Sequence, residues 1–397
     1  MRSVFQELGL GVPRELLWKE GREEMATALT HPGTATASAP TGIPETGSGR
    51  LVSLDAFRGF IMLLLVSNGF GLGVLEHYPN WAWLARQVDH TAWEGCTFWD
   101  LIQPAFTFMV GVAMPFAFAR RAVQGSTTMG VFKHVAWRAF LLIVLSNIFS
   151  NWGSAHPHVQ LINVLSQIAF GYLICFFITR RKFRWQVAAG GAMLLGYWAL
   201  FSIFPGPDGA WSQTGNIGAV IDLKLLGYNY PGYYTTINFI GNAVTILFGY
   251  WAGMLLRTPK PHTYKLKVLG GCAVAGFAGG LALQPFIPMV KRLWTPSFAF
   301  FSAGWVMVML MAFYWIIEVR KQKAWAFPFL IFGMNSIFAY SFGQIGLKGW
   351  LNRGLAGFTF NFGFLGDLGA IPQQVLVMVC IWYACYWLYQ RRIFFKI

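Results

Sequence analysis

Ten stretches of about twenty mostly apolar residues recur along this chain, at roughly 56–75, 101–119, 134–151, 159–179, 185–204, 237–256, 266–288, 298–318, 325–346 and 371–390. Each is long enough to cross the ~30 Å hydrocarbon core of a bilayer as a helix. The rest of the composition agrees. Of 397 residues, 30 Lys and Arg plus 15 Asp and Glu make 45 charged side chains, or 11%. Soluble domains carry about 25%. So little charge could not cover a soluble surface, and 56% hydrophobic residues exclude an intrinsically disordered chain. The runs are continuously apolar and do not alternate, which excludes a β-barrel. The weakest run is 185–204, interrupted by Gly190, Gly191 and Gly196, although Gly is frequent in membrane helices. The expected fold is an all-α polytopic transmembrane helix bundle of about ten spans.

The distribution of cations sets an expected orientation. One set of loops and span ends holds Arg120, Arg121, Lys133, Arg138, Arg180, Arg181, Lys182, Arg184, Arg257, Lys260, Lys265, Lys267, Arg320, Lys321, Lys323, Arg391, Arg392 and Lys396. The alternate set holds Arg86, Lys224, Lys291, Arg292, Lys348 and Arg353. That asymmetry, 18 against 6, predicts the first set in the cytoplasm by the positive-inside rule. An even number of spans then puts both termini inside. The net charge of +15 therefore reports topology, and a nucleic-acid partner is not expected.

Residues 1–49 read differently. Five of the 15 acidic residues fall in the first 25, and 26–49 are Ala, Thr, Gly and Pro with little to bury. No apolar h-region follows an early basic cluster, so a signal peptide is not expected. The division is a disordered cytoplasmic leader, 1–49, and a membrane domain, 50–397. The five Cys (Cys96, Cys175, Cys272, Cys380, Cys385) include no C-x-x-C pair, so neither a disulfide framework nor a metal site is expected.

Polar chemistry concentrates around the first two spans. Ser53 or Asp55 can cap the first helix, and Asp55 and Arg58, three residues apart, share a face. An anchored helix start explains them; an anion-binding Arg58 is the functional reading. Asn68 lies toward the outer end of that span. The loop beyond it carries His90, Trp93, Glu94 and Asp100, rich in His, carboxylate and Trp for a connector. His is the side chain suited to general-base work near neutral pH. His156 and His158 read as solvated loop residues. The ionisable groups Asp55, Arg58, Asp100, Arg138 and Glu318 all fall near expected span ends, which argues against an ion-coupled transporter.

The pattern S-L-D-x-x-R-G from Ser53 to Gly59, then H-x-x-W-x-G-x-T-x-x-D-L-x-x-P-x-F-x-F-x-V-G from His90 to Gly111, resembles the heparan-alpha-glucosaminide N-acetyltransferase family with its bacterial relatives, within the wider transmembrane acyltransferase group. The likeness continues at Ile221-Asp222-x-x-Leu225-Leu226-Gly227, at Leu247-Phe248-Gly249-Tyr250-x-Ala252-Gly253, at Lys291-x-Leu293-Trp294-Thr295-Pro296-Ser297-Phe298 and at Gly333-Met334-Asn335-Ser336-Ile337. The resemblance implies transfer of an acetyl group from cytoplasmic acetyl-CoA to an amine or hydroxyl of an extracytoplasmic acceptor, with a cell-envelope sugar as the broad expectation. It implies His90 as general base or acetyl carrier and Asn68 as polarising donor.

For acetyl-CoA the expected contacts are Arg58, Arg138, Asn335 and Ser336; for the acceptor, Trp93, Glu94 and Asp100. The expected setting is a multi-pass protein of a bacterial inner membrane, with the bilayer and a small-molecule or glycan acceptor as partners and a homodimer allowed. The family's R-x-P-G-V-L-Q-R-type segment is here Gln160-Leu161-Ile162-Asn163-Val164-Leu165-Ser166-Gln167. Both arginines are lost, so the ligand set is expected to differ. A transporter or flippase for a glycan, lipid or small metabolite is the rival reading.

Overall fold

The computed structural model describes residues 51–395; the leader expected over 1–49 lies outside them. The described residues form helices joined by loops and short 3-10 turns. In chain order these are α1 (Val52–Ser67), α2 (Ala82–Gln87), α3 (Ile102–Val123), α4 (Thr128–Ser150), α5 (Val164–Ile178), α6 (Phe183–Ile203), α7 (Ile217–Leu226) and α8 (Phe239–Arg257). They continue with α9 (His262–Leu283), α10 (Pro296–Tyr314), α11 (Phe327–Met334), α12 (Ser336–Gln344), α13 (Leu347–Thr359) and α14 (Ala370–Gln390). Eight helical segments among the described residues are long and apolar enough to cross a membrane.

The two remaining expected runs take other forms. The run at 325–346 is α11 and α12, bent by 62° at Asn335. The run at 159–179 shortens to the 15 residues of α5, about 22 Å at 1.5 Å per residue, because Asn163 starts the helix late by accepting the Leu165 N–H.

Helix boundaries follow local chemistry. The Thr127 hydroxyl caps α4 by accepting the Gly130 N–H at 3.1 Å, which begins that helix six residues before the apolar run at 134–151. Pro296 opens α10 at a first-turn position, where its missing N–H costs nothing. The weak run at 185–204 is a regular helix, α6.

Close packing rests on glycine. A Cβ on Gly111 of α3 would sit 1.9 Å from the Ile246 carbonyl oxygen of α8, and one on Gly249 of α8 would sit 2.0 Å from that of Phe108. Gly59 of α1 and Gly333 of α11 bring those backbones together in the same way. Small residues let membrane helices approach where no hydrophobic driving force exists between them. These contacts set the wall of a cavity bounded by α1, α3, α4, α5 and α12.

Candidate functional site

A cavity of about 890 Å³ runs beside α3, lined along it from Gln103 to Arg120. Seventeen residues at 1.5 Å each make that wall ~25 Å long. One end is lined by His90, Trp99, Gln103, Ser150, Gln160, Tyr234 and Lys291. The other is lined by Asp55, Arg58, Arg120, Gly333, Ser336 and Phe395. Between them the walls are largely apolar, with Arg138, Tyr172, Asn163, Tyr340 and Gln344 as polar exceptions.

At the first end, His90 Nδ1 lies 2.8 Å from Asp100 Oδ1. Asp100 is buried, its side chain 2% exposed, while that of His90 is 45% exposed. The carboxylate is fully engaged. Oδ2 accepts the N–H groups of Thr91 and Thr97 at 3.2 Å each and the Thr97 hydroxyl at 3.0 Å. Oδ1 accepts from His90 and from Lys291 Nζ, at 3.2 Å. Lys291 Nζ is also 3.1 Å from His90 Nδ1. The neighbouring Cys96 thiol is pushed up to about 12 by burial and then by the Asp100 charge, with Lys291 opposing; it stays a thiol at neutral pH.

The expected acceptor contacts resolve differently. Asp100 cannot reach a ligand, because it is buried and holds His90 and its own loop. Trp93 donates its Nε1–H to the Trp211 carbonyl at 2.9 Å and packs against the cluster of Tyr197, Phe201, Val290 and Leu293, so it pins loop to loop and does not line the cavity. Glu94 is exposed and off the cavity wall. Asn68 caps α1 in the left-handed region, φ 52°, and opens a run of positive φ through Gly69, Phe70 and Gly71. That turn leaves its side chain exposed and away from the lining residues.

The opposite end carries most of the expected donor contacts. Arg58 is a strut: its Nη2 donates to Asp55 Oδ1 at 3.0 Å, and both Nε and Nη2 donate to the Gly333 carbonyl, at 3.0 and 2.6 Å. It thereby fastens α1 to the last turn of α11, and it also lines the cavity. Ser336 lines it as well. Asn335 does not; it is buried, with its Nδ2–H on the Ile393 carbonyl and its Oδ1 on the Phe395 N–H, both at 3.2 Å. It holds the segment whose Phe394 and Phe395 close this end.

Arg138 departs from the expectation that charges sit at span ends. The early start of α4 makes it the eleventh of 23 residues, near mid-helix. Its guanidinium lies over the Tyr172 ring, 5.3 Å from the centroid. Its Nε and the Tyr172 hydroxyl are buried without a hydrogen-bond partner among the described residues. No ion pair of Arg138 occurs among them. A cation so placed lines the cavity with no counter-charge among the described residues.

Lys291 escaped sequence reasoning as a site residue. It was visible only within the motif from Lys291 to Phe298. Among the described residues, no group of three or more His, Cys, Asp or Glu is arranged to hold a metal.

No family model matches the chain. It is similar to the heparan-alpha-glucosaminide N-acetyltransferase of Mus musculus, 23% identical over 425 residues, covering 89% of this chain and 62% of that protein. It is likewise similar to the enzyme of that name from Homo sapiens, 24% identical over 417 residues, covering 88% of this chain and 60% of the other. The chain spans about three fifths of the length of the curated relatives it matches. Motif series and overall similarity agree: this integral, multi-pass membrane protein is a distant relative of the heparan-alpha-glucosaminide N-acetyltransferase family.

Proposed function

We propose that the chain is a membrane acetyltransferase that moves the acetyl group of cytoplasmic acetyl-CoA to an amine or hydroxyl of an extracytoplasmic acceptor, with a sugar as the favoured class. The observation that carries the reading is the one cavity lined by arginines at one end and by His90 at the other. The names of the two relatives, N-acetyltransferases of a glucosaminide, support acetyl transfer to a sugar amine.

The reach of the donor supports a specific seat. About thirteen bonds separate the inner phosphorus of CoA from its sulfur, and an extended chain gains ~3.4 Å per three bonds, so the arm spans ~15 Å. From Arg138 to Ser150, twelve residues of α4 rise ~18 Å. From the Arg120 rim to Gln103 the distance is ~25 Å. A pyrophosphate at the rim leaves the thioester ~10 Å short of Gln103, whereas one drawn in to Arg138 brings it within a few ångströms of the level of Ser150, at the end of the cavity that His90 also lines. Arg138 is therefore the pyrophosphate contact in this reading, with Ser336 and the Arg58 strut shaping the entrance.

In the transfer, the bond from the acetyl carbonyl carbon to the CoA sulfur breaks. A bond from that carbon to the acceptor nitrogen or oxygen forms, and the acceptor proton ends on the CoA thiolate. His90 takes that proton in direct transfer, worth ~10²–10⁴-fold. If His90 first carries the acetyl group, the kinetics are ping-pong. Asn68, at the outer end of α1, takes no part in this step. The orientation in this reading is the one predicted from the loop cations, with the arginine end inside.

The test is a thermal shift with purified protein in detergent, run beside transfer of labelled acetyl from acetyl-CoA to glucosamine. Acetyl-CoA at millimolar concentration is expected to raise Tm in wild type and in His90→Ala, while only wild type transfers label. No shift in the wild-type protein would sink the reading.

A further inference from the structure

The loop that carries Lys291 is tied down at every carbonyl from residue 288 to 293. The Pro288 oxygen accepts the hydroxyls of Thr295 and Ser297, at 2.8 and 3.0 Å. Met289 accepts the Gly95 N–H, Val290 the Thr295 N–H and Lys291 the Trp294 N–H. Arg292 accepts the Asn238 side-chain amide at 3.1 Å, and Leu293 accepts the Tyr197 hydroxyl at 2.6 Å. Trp294 holds a positive φ of 55°, buried completely, with its indole N–H on Thr245 Oγ1 at 3.0 Å. A bulky residue in the left-handed region is costly and persists where its surroundings over-determine it. The outcome of this bracing is a single aimed side chain: Lys291, 9% exposed, with its ammonium on Asp100 Oδ1.

We propose that Lys291 is a positioning residue for His90, acting through the oxygen the two side chains share. An aspartate whose one cationic neighbour is a histidine draws a second proton onto the ring. Here the Lys291 ammonium already balances the Asp100 charge. The ring is then required only to donate its Nδ1–H to Asp100, which leaves the Nε2 lone pair facing the cavity. The other charged groups of the loop do not compete. Asp89 Oδ1 accepts the His90 backbone N–H at 2.7 Å, the Cys96 thiol stays protonated, and Arg292 is turned to the Ala92 carbonyl and the face of Trp93.

In the transfer reaction this inference rests on the acetyltransferase reading, but whether Lys291 keeps an unprotonated ring nitrogen on His90 can be measured without it. Diethyl pyrocarbonate acylates the unprotonated imidazole nitrogen, and mass spectrometry of the peptide bearing His90 follows the rate at pH 7 in folded protein. Lys291→Gln is expected to slow modification of His90 at least tenfold, and Lys291→Arg to restore most of it. With acetyl-CoA, Lys291→Gln is expected to lower kcat and leave the KM for the donor unchanged.

An unchanged His90 modification rate in folded Lys291→Gln would overturn the proposal. So would equal slowing in Lys291→Arg, which keeps the charge. If wild-type protein transfers no acetyl group, the acetyltransferase reading fails while the modification rates still decide the role of Lys291.

Discussion

His90 Nδ1 lies 2.8 Å from Asp100 Oδ1, across a loop whose backbone N–H groups grip the second carboxylate oxygen of Asp100. The histidine can therefore turn only if the loop rearranges. The pairing orients the ring and sets its tautomer, as a buried carboxylate does for the histidine of hydrolytic triads.

Asp100→Asn keeps the shape of this site and removes its charge. The expected outcome is a fall in kcat on the order of 10²–10⁴-fold, with acetyl-CoA still raising Tm. Steady-state kinetics beside a thermal shift checks both halves. A variant with normal kcat would remove Asp100 from the mechanism.

Arg138 joins a structural cost to a binding gain. A cation near the middle of a membrane helix is expensive unless it finds a counter-charge, and charge-assisted hydrogen bonds are worth ~1.5–3 kcal/mol. Arg138→Gln is expected to weaken acetyl-CoA binding ~10–100-fold while Tm without ligand holds steady or rises. Isothermal titration of purified protein gives the affinity, and a melt without ligand gives the other term. Loss of Tm together with unaltered affinity would make Arg138 a purely structural residue.

Asp222 offers a pH test away from the cavity. It is buried on α7, accepting the Thr236 N–H at 2.9 Å. Burial raises its carboxyl above the ordinary range, with the Thr236 hydrogen bonds opposing. The folded state thus binds the proton more tightly than the unfolded one. The stability this contributes is complete below the unfolded value and is lost as pH rises through the folded one. Asp222→Asn keeps an oxygen for the Thr236 N–H and cannot ionise. Its melting curve is expected to lie above wild type at pH 8 and to converge with it near pH 4. A gap that stays constant over that range would separate the stability effect from ionisation.

The helices were legible because bilayer-length apolar runs admit few alternatives. What the runs concealed were events within them. The bend at Asn335 falls between Met334 and Ser336 with no proline to announce it; Asn335 turns the chain by bonding to Ile393 and Phe395, a contact far away in sequence. The early start of α4 was hidden by Lys133, which interrupts the apolar pattern although its long stem can lie along a helix. Resemblance singled out His90 and Asn68 together. The fold brings His90 to the cavity and turns Asn68 out through a left-handed run that Asn-Gly-Phe-Gly permits but does not dictate. Lys291 pairs with His90 across 201 residues. Spacing along a chain carries no information on such a pair, because it exists only after two loops have docked.

The glycine contacts between α3 and α8 have a mechanical consequence. Backbones that meet with no side chain between them cannot slide without collision, so α3, the long wall of the cavity, is stiff along its whole ~25 Å. In the proposed reaction, the compliance that lets acetyl-CoA enter and CoA leave must reside on the facing side. There α4 turns Trp137, Phe140 and Ile148 outward, and α12 hangs from the bend at Asn335. The protein resembles a vice with one fixed jaw, and the fixed jaw is the one cut from glycine.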